Sequence, residues 1–483
     1  MTEHEVVIAG AGPTGLMLAG ELALAGVDVA ILERRADRSL AGSRAGGMTP
    51  RTLEVLDQRG IADRFLSAGT IGQNSHYAGL FFDIADLPTR HNYGLGLLQY
   101  RVESILADWI AELGVPVHYG CELTTFTQQD SGVTAAASDE SRLHAQYLVG
   151  CDGGRSIIRK TAGIAFPGWE PSISCLVADV DMVDDPPWGL HRQGGFHSFI
   201  KFADEDTVRV MVAEQRVENT AEPTVADLRT ALMTLCGTDY GLRSATWVSR
   251  FTDATRQAAT YRTGRVLLAG DAAHIHFPIG GQGLNTGIQD AVNLGWKLAH
   301  VVSGISSDRL LDTYHAERYP VGARVLHNTM AQTALNSSGE RVDALRDTVA
   351  ELLNMQEPRI RIAPMMCGLD IHYDLGDGHP LLGRRVPDLD LYTPFGPARL
   401  FTLLHQARGI LLNFGKQKPA LDITLWSDHV SVVDVQYDGT WKLPVIGRVT
   451  APDAVLVRPD GHVAWVGEGT TDGLPDALDK WFT

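Results

Sequence analysis

The sequence predicts an α/β protein: a Rossmann-like nucleotide-binding domain, a sheet-rich domain inserted into it, and a further α/β unit at the C-terminal end. Three observations carry this. A glycine turn joins an apolar strand to a helix at the start of the chain. β-like runs dominate from Ser174 to Tyr261. The pattern changes again near Pro380 and closes in a hairpin.

The first element is Val6-Val7-Ile8-Ala9, followed by Gly10-Ala11-Gly12-Pro13-Thr14-Gly15 and then Leu16-Met17-Leu18-Ala19. β-formers, a Gly-x-Gly-x-x-Gly turn and a helix in that order mark a dinucleotide-binding fingerprint, which isolated glycines do not. Gly10 permits the tight turn, Gly12 the approach of backbone to a pyrophosphate, and Gly15 close packing of helix on sheet. The helix N-terminus adds free N–H groups and a partial positive charge. A second strand, Val27 to Leu32, ends at Glu33, where an acid can accept from a ribose 2′-hydroxyl.

A chain of 483 residues, 44% hydrophobic and 20% charged, is long enough for two or three ordinary domains. Its formal net charge of −17 argues against nucleic acid or an anionic membrane as partner. Five scattered cysteines with no Cys-x-x-Cys fit a reducing compartment and offer no metal-ligand spacing. His4 and Glu5 precede a strand, so no signal peptide is read, and the apolar helix from Leu16 to Ala25 is short and contains Glu21. A cytoplasmic protein with no membrane span and no bound metal is expected.

Further along, Thr49-Pro50 opens a helix with Thr49 as N-cap, ending at Gly60. Residues 71–98 read as strands and loops. Helical spacing returns from Val102 to Leu113, and strands follow at Val115–Tyr119, Val133–Ala137 and Gln146–Cys151. The inserted sheet takes Cys175–Asp181, Phe196–Phe202, Val208–Ala213 and Trp247–Phe251, with a helix at Val225–Leu235. Arg265 to Asp271 is a buried strand, and helices run from Gly283 to Ser303 and Ser307 to Leu335. The C-terminal hairpin turns at Pro459-Asp460-Gly461.

Two more clusters carry chemistry. Cys151-Asp152-Gly153-Gly154-Arg155-Ser156 closes a strand, and Asp152 is placed to pair with Arg155 or Arg159; a simple strand–helix turn has the same composition. Gly270-Asp271-Ala272-Ala273-His274 ends the later strand, and Pro278-Ile279-Gly280-Gly281-Gln282-Gly283-Leu284-Asn285 opens the long helix. Asp271 can accept from a polyol chain, and the glycine-rich helix start presents N–H groups to an anionic ring edge. A flavin needs both.

These stations resemble the group A FAD-dependent aromatic hydroxylases, the p-hydroxybenzoate hydroxylase family. The resemblance extends through Ser43-Arg44, Leu53 to Gly60, Asp290 to Leu298 and Tyr314 to Arg318. It is closest to the branch acting on polycyclic aromatic polyketides such as angucyclines, with rifampicin monooxygenase more distant. The implied fold is a Rossmann-like FAD-binding domain (1–75, 99–173 and 264–378), a substrate domain (76–98 and 174–263) and a thioredoxin-like C-terminal domain (379–483). Lacking Cys-x-x-Cys, that last domain is expected to be structural or to support a homodimer.

The resemblance also implies site residues. Gly10, Gly12, Pro13, Thr14 and Gly15 would meet the FAD pyrophosphate, Glu33 the adenosine ribose, and Arg34 and the Leu123 backbone the adenine. Arg44 would touch FAD and shape the approach of NADPH or NADH. Gln99 would lie near the ribityl chain, with a helix-capping amide as the alternative. Asp271 would bind the ribityl hydroxyls, Asp152 both nucleotides, Pro278 the reactive flavin face, and Gly283, Leu284 and Asn285 the pyrimidine edge.

The implied activity is NAD(P)H- and O2-dependent hydroxylation of a polycyclic aromatic polyketide through a flavin C4a-hydroperoxide, an antibiotic-biosynthesis type of chemistry. Arg44, Pro278 and His76 are candidates for a catalytic part. Tyr77, His191 and His197 share with His76 both the reading as a base and the plainer one as packing residues. Phe81, Phe82, Trp188, Phe196 and Phe199 could line a flat apolar pocket or serve the core. A Baeyer–Villiger or epoxidising enzyme, a rifamycin-modifying enzyme and a catalytically silent FAD sensor stay open. A halogenase does not fit, because no two tryptophans stand two apart.

Overall fold

The computed structural model describes residues 2–40, 42, 44–192, 194–201, 207–217, 221–415 and 423–483; Ser43 and Phe202 lie outside them. β1 (Thr2–Ala9) runs into α1 (Pro13–Leu24) and β2 (Val29–Glu33), and β1 and β2 pair in parallel. α2 (Pro50–Asp57) begins at Thr49, yet the Thr49 side chain does not cap it. Its hydroxyl and N–H instead donate to Asn285 Oδ1, at 3.3 and 2.9 Å, tying this helix to the glycine-rich station.

A hairpin, β3 (Asn74–Tyr77) and β4 (Leu80–Asp83), precedes α3 (Gln99–Glu112). Then come β5 (Val117–Tyr119), β6 (Leu123–Gln129), β7 (Gly132–Ala137) and β8 (Arg142–Gly150), followed by α4 (Ile157–Thr161). β6 has no counterpart in the sequence reading: Leu123-Thr-Thr-Phe-Thr-Gln-Gln alternates only weakly, and its pairing with β7 decides it.

The inserted sheet contains β9 (Ser174–Met182), β10 (Gly189–His191), β11 (His197–Lys201), β12 (Val208–Ala213) and β13 (Leu242–Thr252), in the order β10-β11-β12-β9-β13. α5 (Val225–Cys236), held by a Thr224–Asp227 capping box and stopped by Gly237 at φ +73°, covers one face. The chain returns through β14 (Arg262–Thr263) and β15 (Val266–Leu268), which complete the first sheet in the order β14-β15-β8-β1-β2-β5.

α6 (Gln282–Val302) and α7 (Asp312–Leu335) follow, then α8 (Glu340–Asn354) and α9 (Gln356–Cys367). No helix of the described residues is long and apolar enough to cross a membrane. The segment 76–98, grouped by sequence with 174–263, packs differently from that sheet: Phe82, Ile84 and Leu87 share a core with Leu353, Ala363 and Met366 of α8 and α9.

The last sheet has β16 (Gly409–Asn413) and β17 (Val430–Asp434) in parallel, then β18 (Ala454–Val457) and β19 (Val463–Gly467) antiparallel, in the order β17-β16-β18-β19, before α10 (Leu474–Phe482). It is joined to α6 and α7 by buried charge. Arg458 donates to Glu317 at 2.6 and 2.9 Å, and Lys297 reaches the same carboxylate at 2.8 Å. Arg458 also pairs with Asp460 in the hairpin turn. The facing cations hold the Glu317 carboxyl down at about 2 against the opposing effect of burial, and burial lowers the Lys297 ammonium to about 8.

A depressed acid stabilises the fold above its unfolded pKa and loses that contribution as pH falls toward its folded value. Wild-type stability should therefore drop between about pH 4.5 and 2 more steeply than that of Glu317→Gln, measured by urea unfolding. Arg458→Met, which removes the cation shared by the buried Glu317 and Asp460 carboxylates, should cost on the order of 3–5 kcal/mol at neutral pH.

Candidate functional site

The first turn is built around missing side chains. Gly10 has φ +104°, and a Cβ there would meet the Cys151 carbonyl oxygen at 2.5 Å; a Cβ on Gly15 would strike the Gly10 carbonyl oxygen at 2.0 Å. Gly12 differs. Its backbone is extended (φ −77°, ψ 178°), and a Cβ would meet no protein atom within 4 Å. The protein does not need a glycine there for its own packing, and the open space leaves room for a ligand at the N-terminus of α1. Pro13 takes the first helical position, and no side chain caps the helix.

Glu33 ends β2 with its carboxylate accepting from the Ala11 N–H at 2.7 Å and the Arg35 N–H at 2.8 Å. Oε1 also lies 3.1 Å from Arg35 Nε, so Oε2 is the oxygen that keeps a lone pair for a hydroxyl. Arg34 is exposed, whereas Arg35 binds Glu103 at 2.7 Å and the Ala11 carbonyl at 2.9 Å. The sequence reading missed Arg35; two adjacent arginines at a strand end do not tell which one turns inward. Leu123 starts β6 with a buried side chain.

Thr14 joins the first station to the third: its hydroxyl lies 2.6 and 2.3 Å from where Gly270 and Gly287 would carry Cβ atoms. Gly270, at φ +60°, donates its N–H to Asp290 at 3.1 Å, and Asp290 in turn binds His274 and Arg318, both at 2.7 Å. This buried set fixes the turn that presents Asp271, which is itself exposed.

Beside Asp271 lies the start of α6. Gly281 (φ +63°) is the N-cap, no side chain caps the helix, and a Cβ on Gly281 would meet nothing within 4 Å. A Cβ on Gly283 would lie 3.9 Å from Asp271 Oδ1. The Asn285 side chain donates to the Gly47 and Gly281 carbonyls and accepts from the Thr49 N–H. Leu284 packs on the main core. The Pro278 carbonyl accepts from the Gly281 N–H at 3.3 Å.

Asp152 does not pair with either predicted arginine. Its Oδ2 accepts from the Ile157 and Ile158 N–H groups at 2.7 and 3.2 Å, so it caps α4, and burial raises its carboxyl pKa. Arg159 turns instead to the Ala272 and Gly154 carbonyls and lies over the Phe166 ring, 3.6 Å from its centroid. Helix N–H donors near in sequence reached the carboxylate before the longer arginines did.

Arg44 donates to Ser249 Oγ and the Arg250 carbonyl of β13 at 3.1 and 3.2 Å, within the fields of Asp271 and Arg155. The same loop presses Gly42 onto Trp247, where a Cβ would be 2.0 Å from the indole. No sequence signal announced that docking. Gln99 is the first residue of α3; its amide accepts from Ala45 at 3.4 Å and donates to Glu103 at 2.8 Å, anchoring the loop's other end.

The inner face of the inserted sheet meets the loop before α6 in one apolar cluster of Cys175, Val177, Phe251, Phe277 and Ile279, with Phe196, Met211 and Trp247 at its edge. Phe199 lies on the other face, under α5. His191 and His197 stack there at 5.0 Å and His197 touches Phe199, so they do not face the loop. Phe82 is core, while Phe81 and Trp188 are exposed. His76 accepts the Gly79 N–H at 3.3 Å.

The FAD binding domain family matches residues 3–329, and the aromatic-ring hydroxylase C-terminal family matches residues 379–483. The chain belongs to the FAD-dependent aromatic-ring hydroxylases. FAD is its cofactor, and the open Gly12 and Gly281 positions beside two uncapped helix N-termini fit that group. An anhydrotetracycline hydroxylase from Streptomyces rimosus is 42% identical, with a TM-score of 0.93 over 100% of this chain and 99% of that one. An aromatic hydroxylase from angucycline biosynthesis is 40% identical, with a TM-score of 0.91 over 100% and 99%. A rifampicin monooxygenase from Streptomyces venezuelae is 41% identical over 99% of this chain and 98% of its own.

Gly12→Val should leave the apoprotein's melting temperature near the wild-type value and abolish FAD retention, read as flavin absorbance per protein. Asp271→Ala should purify colourless; a fully yellow Asp271→Ala protein would place the polyol's acceptor elsewhere.

Proposed function

We propose that this flavoprotein monooxygenase uses NADPH or NADH and O2 to hydroxylate a polycyclic aromatic substrate of the polyketide type. One observation carries the reading: an exposed aspartate and an uncapped, glycine-rich helix start converge beside the inner face of a sheet lined with aromatic side chains. A flavin edge and a flat apolar substrate have adjacent places in that arrangement. The likeness to hydroxylases of tetracyclic and angucycline substrates across the whole chain supports it.

When bound, FAD supplies hydride acceptance and dioxygen activation. The chain's own residues do the rest. Gly12 and the α1 N-terminus hold the pyrophosphate, Glu33 the ribose and Asp271 the ribityl hydroxyls. The N–H groups at Gly283 and Leu284 stabilise negative charge on the pyrimidine edge. Phe277, Ile279 and the sheet face exclude water. Arg44 and Arg155 give the cleft's lip positive charge toward an anionic nicotinamide nucleotide in a chain of net charge −17. A phenol on a quinone skeleton is acidic enough to react without a protein base.

The segment 379–483 serves as a thioredoxin-like structural unit. Its strand order, a parallel pair followed by two antiparallel strands and a helix, supports this, as do the absence of any cysteine after Cys367 and its contribution of Arg458 to Glu317. A second reading, modification of a rifamycin-type antibiotic, is favoured by the rifampicin monooxygenase likeness, whose identity lies between those of the other two.

NADPH oxidation by the holoenzyme should rise at least tenfold with a suitable tetracyclic polyketide, and mass spectrometry under ¹⁸O2 should find one labelled oxygen in the product. Stimulation by rifamycins alone would select the second reading, and stimulation by neither would remove both.

A further inference from the structure

Sequence offered His76 as a base, and the structure gives its nitrogens different tasks. The Gly79 N–H donates to Nδ1 at 3.3 Å, so in the neutral ring the proton sits on Nε2. Burial keeps the ring neutral by lowering its pKa. Nε2 therefore presents an N–H and no lone pair.

The hairpin's position gives that donor a target. Tyr77, Leu80 and Phe82 pack on α8 and α9, so His76 and its cross-strand partner Phe81 occupy the opposite face. Their ring centroids are 5.6 Å apart, and Phe81 is 70% exposed. The tip is pinned on two sides. The Ala78 N–H donates to Gln332 Oε1 at 2.9 Å, and the same amide lies 3.3 Å from where Gly280 would carry a Cβ. Gly79 abuts Leu190 of β10, which would contact its Cβ at 3.4 Å. The hairpin thus joins the loop at Pro278–Gly281 to the edge of the inserted sheet.

We propose that the Nε2–H of His76 donates a hydrogen bond to a carbonyl oxygen of the polycyclic substrate, whose ring system lies against Phe81. This rests on the reading of the protein as a hydroxylase of polycyclic phenols and quinones. His76 then selects for quinones and ketones, and it takes no proton from the phenol.

The test titrates wild-type, His76→Phe and His76→Gln holoenzymes, without NADPH, with a dihydroxyanthraquinone and with the matching dihydroxyanthracene, which lacks the carbonyls. Binding is read from the change in flavin absorbance. His76→Phe keeps a ring against Phe81 and should bind the quinone about tenfold more weakly, the equivalent of one ordinary hydrogen bond. His76→Gln, with an amide N–H in similar reach, should recover most of the loss. All three should bind the anthracene alike, and in turnover KM should rise more than kcat falls. Equal quinone binding by wild type and His76→Phe, or equal losses for both probes, would overturn the inference alone. A wild-type flavin spectrum that no polycycle perturbs would overturn the substrate reading and this inference with it.

Discussion

The buried ion pairs around neighbouring residues of α7 organise the rest of the molecule. Glu317 and Arg318 are adjacent in sequence and serve opposite partners. Glu317 takes Arg458, Lys297 and Asn293; Arg318 takes Asp290. Asp290 also receives the Gly270 N–H, one residue before Asp271. A chain of short charged contacts therefore runs from the C-terminal hairpin to the turn that presents Asp271. Charges this deep are tolerated only when every partner is present, since an unpaired buried ion costs several kcal/mol. The C-terminal unit is part of the site's foundation for this reason. Arg59 reinforces the joint by pairing with Glu21 of α1 and donating to the Pro459 and Leu404 carbonyls.

The proposed cofactor site offers little side-chain charge. Two helix N-termini without side-chain caps, and glycines whose absent Cβ atoms leave open space, are what would hold the cofactor there. That suits a chain of net charge −17, whose overall field opposes a dinucleotide. Local N–H dipoles act within a few ångströms, where the distant acidic surface is screened. In the proposed function Arg44 and Arg155 would serve the transient second nucleotide and not the first.

Local patterns were legible in the sequence and long-range ones were not. The glycine turn, the Asp271 station, the single strands of the inserted sheet and the hairpin at Pro459 each declare themselves within about fifteen residues, the reach of strand, helix and turn signals. Thr49 and Asp152 mark the limit. Both were read as local partners of the nearest suitable group, and each found a different one: Thr49 went to Asn285, far along the chain, and Asp152 to the backbone of α4. The docking of Gly42 on Trp247 and the pairing of Arg458 with Glu317 join residues more than a hundred positions apart, and no periodicity encodes such a match. The weakly alternating β6 was invisible because its neighbour β7 specifies it.

Phe277 and Ile279 connect the two halves of the site. They belong to the loop that leads into α6, yet their side chains are buried among Cys175, Val177 and Phe251 of the inserted sheet. A loop held that way cannot move toward or away from the cofactor without opening an apolar core, at roughly 1.5–3 kcal/mol per exposed side chain. The sheet against which a flat substrate would lie and the backbone that would meet the flavin edge are consequently one packed unit. The other end of that unit is closed by Gln332, which touches Gly280 and binds Ala78 of the hairpin. Distances across the pocket are thereby set by a core cluster on one side and a single buried amide on the other. A rigid polycycle, unable to adapt its own shape, is the kind of ligand that such fixed spacing can hold in one orientation.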